Sequence, residues 1–134
     1  MSLVVLDTDV ASNVLRGRIS PQLQARLAGR TWFTSFVTLG ELTKWTIIRS
    51  WGPRKLADLA EWRRNVVVLP GDERTATTWG ELQARAQARG RPRPINDSWI
   101  AATCIAEGIP LATFNTKDYE DFAQHDGLNL FDVS

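Results

Sequence analysis

Four carboxylates lie far apart in this chain, Asp7, Glu41, Asp97 and Asp118, and each stands beside the end of a predicted strand or the start of a predicted helix. An open α/β sheet gathers such positions into one crevice outside the carboxyl ends of its strands. Like charges in one crevice repel unless a cation lies between them. Mg²⁺ and Mn²⁺ favour carboxylate and water oxygens, so this residue set points to a hard divalent metal site.

Each acid also has a plainer reading. Asp7 directly follows the apolar run Leu3-Val4-Val5-Leu6 and can cap the next helix. Glu41 can pair with Lys44 at helical i,i+3 spacing. Asn96 or Asp97 can cap an apolar helix, although Arg91-Pro92-Arg93-Pro94 just before it makes an extended basic approach to the same terminus. Asp118 sits in Phe114-Asn115-Thr116-Lys117-Asp118-Tyr119, where either Asn115 or Asp118 can reach the crevice, but only the carboxylate brings charge.

The elements that must position these acids alternate between strand and helix, the α/β signature. Leu3–Leu6 is fully apolar, as a central parallel strand covered on both faces should be. Ser20-Pro21 opens a helix that Gly29 closes. Trp32-Phe33-Thr34 reads as a second strand leading into a helix through about Arg49, and Arg54 to Arg64 as an amphipathic segment. Val66–Leu69 is expected to be a third buried strand, and Asp72 to cap a long helix ending near Gly90. A helix from about Asp97 to Glu107 follows, then a strand at Leu111-Ala112-Thr113, with a fifth edge strand expected over Leu128–Phe131.

The length of 134 residues fits one domain with a single core, residues 1–134. The apolar runs are too short to cross a bilayer and the N-terminus lacks a basic region followed by a hydrophobic stretch, so a soluble cytoplasmic protein is expected. The lone Cys104 lies in an apolar stretch and reads as a core thiol. The net charge of +1 hides an asymmetry: residues 1–67 hold ten Lys or Arg against five Asp or Glu, and residues 68–134 hold six against ten. Basic walls around an acidic site suit a polyanionic substrate.

Taken together, four blocks resemble the PIN-domain nucleases, and in particular the VapC-type toxins of bacterial toxin–antitoxin pairs. They are Val5-Leu6-Asp7-Thr8-Asp9, Ser35 to Leu42, Asn96 to Ala102, and Leu111 to Tyr119, with Gly90-Arg91-Pro92 upstream of the third. The resemblance runs nearly end to end. It implies a three-layer α/β/α fold with a mostly parallel sheet of four to five strands. It also implies an endoribonuclease dependent on Mg²⁺ or Mn²⁺, with Asp7, Glu41 and Asp97 as metal carboxylates and Asp118 as a more variable fourth. Asp9 falls where many relatives carry Asn or Ser, and ranks below these as an outer acceptor. Thr8, Thr113 and Asn115 fall at supporting polar positions.

The same resemblance implies structured RNA such as tRNA or rRNA as substrate, an antitoxin partner and a homodimer. Arg91, Arg93 and Lys117 are the candidate phosphate contacts. Metal-bound water needs no histidine base, and the only histidine, His125, is expected in a late polar loop. Trp32, Trp79 and Trp99 are assigned to the core, while Trp45, Trp51 and Trp62 form either a docking face for an antitoxin or second subunit, or further core.

Two other classes compete. Asp7-Thr8-Asp9 after an apolar strand also looks like the nucleophile motif of haloacid-dehalogenase-type phosphatases, but Ala11 stands where that family wants Thr, and Glu41 has no role there. A receiver-like signalling module would want its acceptor Asp at the end of strand three, where Pro70-Gly71 lies instead.

Overall fold

The computed structural model describes residues 2–134. The chain runs β1 (Leu3–Leu6), α1 (Thr8–Leu15), α2 (Pro21–Leu27), β2 (Thr31–Ser35), α3 (Phe36–Ile48) and α4 (Pro53–Arg64). It continues with β3 (Val67–Leu69), α5 (Glu73–Ala88), α6 (Ile95–Glu107), β4 (Leu111–Ala112) and α7 (Thr116–His125). The strands form one sheet in the order β3-β2-β1-β4, and every pairing is parallel.

Alternation along β1 builds the three layers. Val4 and Leu6 point into a core with Val10, Leu23, Leu42 and Trp62, from helices α1 to α4. Val5 points the other way, into a core with Leu82, Ile100, Tyr119 and Phe122, from helices α5 to α7. Successive side chains of a strand face opposite sides, so a central strand must be apolar throughout. β1 meets this condition, with Val4, Val5 and Leu6 all fully buried.

The chain leaves β1 for β2 on one side, while β4 lies on its other side. The sheet order therefore reverses beside β1, and the carboxyl ends of β1 and β4 flank the reversal. Backbone pairing continues past the strand end, with the Asp7 amide donating to the Ala112 carbonyl at 2.9 Å.

Ser20 and Asp72 cap their helices as expected, and Gly108 ends α6 with φ of 67°, a left-handed turn that glycine adopts without strain. Other expectations need correction. β3 is not a buried strand: it pairs on one side only, and Val67 is 48% exposed. An apolar triplet cannot distinguish a central strand from an edge. The fifth strand reduces to one bridge between Leu111 and Leu130, since the segment from Leu128 to Phe131 meets β4 at only one position.

Helices α1 and α7 are carried by tertiary contact. α1 has eight residues rich in weak helix formers, yet Asp7 caps it and Val10 and Ala11 are buried. α7 buries Tyr119, Asp121 and Phe122, so His125 ends a helix instead of lying in a loop. Trp62 belongs to the core, whereas Trp45 and Trp51 are half-buried beneath Arg49 and Lys55 at 4.7 and 5.9 Å. The exposed apolar surface of the α3–α4 hairpin is therefore aliphatic, from Ile47, Ile48 and Leu56. Among the described residues, no helix is long and apolar enough to cross a membrane.

Candidate active site

Asp7 stands at the carboxyl end of β1 and is only 5% exposed. It caps α1 and at the same time faces the end of β4. One oxygen accepts the Thr8 amide at 2.8 Å and caps α1, while the other accepts the Thr113 hydroxyl at 2.7 Å from the end of β4. Burial is the main force raising its pKa, the bonds from Thr113 and Thr8 oppose it, and the charges of Asp9 and Asp97 add to it. The outcome is a carboxyl pushed up to about 7.

Glu41 projects from α3, and a line of hydroxyls holds it. Ser35 donates to Thr38 at 3.3 Å, Thr38 and Thr8 share a hydrogen bond of 3.0 Å, and Thr8 donates to Glu41 Oε1 at 3.1 Å. With one proton per hydroxyl, the Thr8 bond to Glu41 makes Thr38 the donor to Thr8. Ser35 also caps α3 through the Thr38 amide at 3.1 Å, so one serine sets both helix and relay. Burial, then the charge of Asp97, raises the Glu41 pKa against the Thr8 bond, and Lys44 opposes it least. Among the described residues Lys44 forms no ion pair with Glu41.

Asp97 is the third residue of α6, and Pro94, which cannot cap through a side chain, holds the N-cap position. The capping role is thereby excluded for Asp97. Tyr119 joins it to Asp7: the phenol oxygen lies 3.4 Å from Asp7 Oδ1 and 3.4 Å from Asp97 Oδ1. Burial and the neighbouring charges of Asp7 and Asp97 hold the phenol well above its usual range, so it stays a donor. The Asp97 pKa is raised by burial, then by the charge of Asp118, while Tyr119 and Arg93 oppose the shift.

Asp118 is exposed, but its charge reaches Asp97. Asn115 is also exposed; its backbone amide donates to the Thr113 hydroxyl at 3.0 Å. Asp9 accepts the Val10 amide at 2.7 Å on one oxygen and the Phe114 amide at 3.1 Å on the other, which ties it to both α1 and the β4 exit. Both oxygens are thus engaged, an arrangement poorly suited to the general acid of a phosphatase. Burial raises its pKa against these bonds. Arg91 and Lys117 are exposed and Arg93 is half-buried.

Sequence reasoning missed Tyr119, Thr38 and Ser35. The spacing of Tyr119 and Phe122 on one face of a polar helix and the Ser35-x-x-Thr38 cap were the available signals.

Among the described residues none of Asp7, Asp9, Glu41, Asp97 and Asp118 is ion-paired with a cation. The donors here are carboxylates and hydroxyls, a set suited to a hard cation. Among the described residues no three His, Cys, Asp or Glu side chains converge closely enough to ligate one ion together. Mg²⁺ retains several waters and is held through one or two carboxylates, so this spacing fits it. Beside Glu41 opens a cleft of about 500 Å³ bordered by Phe36, Trp45, Asn96 and Trp99. The Trp99 ring stacks on Trp79 at 4.7 Å and meets the edge of Phe36 at 5.7 Å.

The PIN domain family matches residues 4–127. Ribonuclease VapC4 of Mycobacterium tuberculosis is 36% identical over 116 residues, covering 84% of this chain and 85% of that protein. Ribonuclease VapC5 of the same organism is 33% identical over 135 residues, covering 96% and 92%. The toxin–antitoxin complex VapBC-5 from M. tuberculosis contains a chain that superposes with a TM-score of 0.74 at 27% identity, covering 99% of this chain and 100% of that one. VapBC2 from Rickettsia felis, solved with a promoter DNA fragment, shares the fold with a TM-score of 0.83, 21% identity and coverage of 98% and 99%. With its acids gathered at the switch point of a parallel sheet, this chain belongs to the PIN-domain family, among the VapC-type proteins.

Proposed function

We propose that this chain, folding as one nuclease domain, is a metal-dependent endoribonuclease that acts as the toxin of a toxin–antitoxin pair. The observation that carries the reading is the cluster of unpaired acids joined by Tyr119, Thr8 and Thr113, in a chain related to named VapC ribonucleases. One or two of Asp7, Glu41 and Asp97 would ligate Mg²⁺ or Mn²⁺ directly and the rest would reach it through bound water, with Asp118 at the open edge. The bound ion supplies an activated water and neutralises charge on the phosphoryl group.

The chain's own residues do the positioning. Thr113 and the Thr8 amide fix both oxygens of Asp7, and the Ser35–Thr38–Thr8 line fixes Glu41. Tyr119 donates to one of Asp7 and Asp97 at a time, holding the two carboxylates in register. Arg91, Arg93 and Lys117 contact substrate phosphates, and the aromatic cleft beside Glu41 accepts a base from a single-stranded loop. Structured RNA such as tRNA or rRNA is the proposed substrate class. The solved relatives are complexes with antitoxins, which supports a cognate antitoxin as partner. A homodimer in the cytoplasm completes the proposal.

Incubation of the purified protein with tRNA and Mg²⁺ or Mn²⁺ should give defined fragments, and EDTA should abolish them. Intact RNA alongside hydrolysis of a phosphomonoester would favour the phosphatase instead.

A further inference from the structure

A groove of about 500 Å³ lies between the C-terminal end of α1, the end of α3 and the start of α4. Arg16, Arg18, Arg49, Arg54 and Lys55 line it, against one carboxylate, Asp58. Among the described residues none of these five cations has a carboxylate partner; Arg30, Lys44, Arg63, Arg91, Arg93 and Lys117 are also unpaired, but only here do five such cations line one concavity among the described grooves. The positive excess of the first half of the chain is concentrated here. Five unpaired cations around one concavity repel one another and focus a positive field, which an anion relieves.

The groove is connected to the acid crevice by two helices that pack on each other. On α1, Thr8, Ser12, Leu15 and Arg16 fall at i, i+4, i+7 and i+8, one face running from the Glu41 contact to the groove. On α3, Glu41, Trp45 and Arg49 fall at i, i+4 and i+8, and the Arg49 guanidinium lies 4.7 Å over the Trp45 ring. Eight residues at the helical rise span about 12 Å. A stacked strand rising ~3.4 Å per nucleotide covers that length in three to four nucleotides. Half-buried Trp51 adds an aromatic surface within the groove.

We propose that this groove is a second RNA-binding site, which holds the phosphates of single-stranded RNA a few nucleotides from the bond cleaved at the acids. The proposal rests on the nuclease reading for its substrate. Arginine favours phosphate through its two-pronged donor geometry, and four of the five cations are Arg.

The double variant Arg18→Gln/Arg54→Gln tests it, since both side chains are exposed and the variant should melt like the parent. Binding of a fluorescent twenty-nucleotide oligouridylate is measured in EDTA, so that no cleavage intervenes. The double variant should bind about tenfold more weakly, and the slope of log K against log salt should fall by about 1.4, for two lost phosphate contacts. With metal and tRNA, KM should rise while kcat stays within twofold. Lys55→Gln should weaken binding in the same direction, by less.

Unchanged affinity and salt slope in a folded variant would overturn the proposal. So would polyglutamate of equal charge binding as tightly as the RNA and losing as much in the variant, because the groove would then serve an acidic protein segment. Wild-type protein that binds the oligonucleotide through these residues but cleaves no RNA with either metal would sink the nuclease reading alone.

Discussion

Asp7 and Asp121 have the same small exposure, 5% each, but Asp7 lies deep in the fold and Asp121 just beneath its surface, and they behave in opposite ways. Burial pushes both carboxyls up. At Asp121 the hydrogen bond and charge of Arg89 outweigh burial and leave the pKa below its ordinary value. Arg89 also holds Asp126 at 3.1 Å, and Arg85 reaches Asp126 at 2.8 Å, so α5 is clamped to the C-terminal end of α7. Asp7 has hydroxyl and amide donors but no cation, and its neighbours Asp9 and Asp97 make matters worse. Burial alone therefore does not mark a functional acid. A buried acid among other acids, left without a counter-charge, is a candidate for one.

The contrast is broken most directly by neutralising one member of each set. Asp97→Asn or Asp7→Asn should lower RNA cleavage by on the order of a hundred- to a thousand-fold, by analogy with losing one preorganised electrostatic group. In EDTA neither variant should melt below the parent, because each relieves repulsion and Asn in place of Asp7 still caps α1. A gel cleavage assay with a parallel melt checks both halves. Melting well below the parent would mean that these acids hold the fold together.

The pH dependence should run in opposite directions. Burial pushes the Asp7 carboxyl up to about 7 in the folded protein, against an ordinary value of 3.8. The folded metal-free protein thus keeps a proton that the unfolded chain releases, and stability should fall as pH rises across that window. The slope should be on the order of 1.4 kcal/mol per pH unit, and Asp7→Asn should flatten it. Asp121 has a lowered folded pKa, so its contribution is present above the unfolded value and is lost as pH falls through the folded one. Denaturant melts in EDTA from pH 3 to pH 8 measure both.

Arg89→Ala leaves Asp121 buried without its partner and should cost about 2–3 kcal/mol of stability. Cleavage below the melting temperature should hardly change, and a large loss of kcat in the folded variant would make the clamp part of the site. Tyr119→Phe is the smallest change, removing one hydroxyl shared between Asp7 and Asp97. Activity should drop several-fold with stability altered by about 1 kcal/mol. An unchanged kcat would show that the two carboxylates hold their positions without it.

Much of the site was legible in advance because its acids follow strands and precede helices. Leu3–Leu6 is apolar throughout, as a central strand must be, and Asp7 directly follows its carboxyl end. Asp97 was readable through the turn imposed by Arg91-Pro92-Arg93-Pro94, though its position inside α6 was not. The Trp-rich hairpin was harder to read, since Trp45, Trp51 and Trp62 share a residue type and divide between core and cation-covered surface. Side-chain type does not reveal which face of a helix meets the sheet.

By itself the sequence determined the alternation of strands and helices, the burial of β1 and the identity of the acids, because apolar runs, caps and breakers act over a few residues. Only the tertiary structure decided that Tyr119 stands between Asp7 and Asp97, that Thr8 and Thr38 carry Glu41, and that five unpaired cations close around one groove. Those are contacts between residues up to 112 positions apart. They depend on strand order and helix packing, which no local pattern encodes.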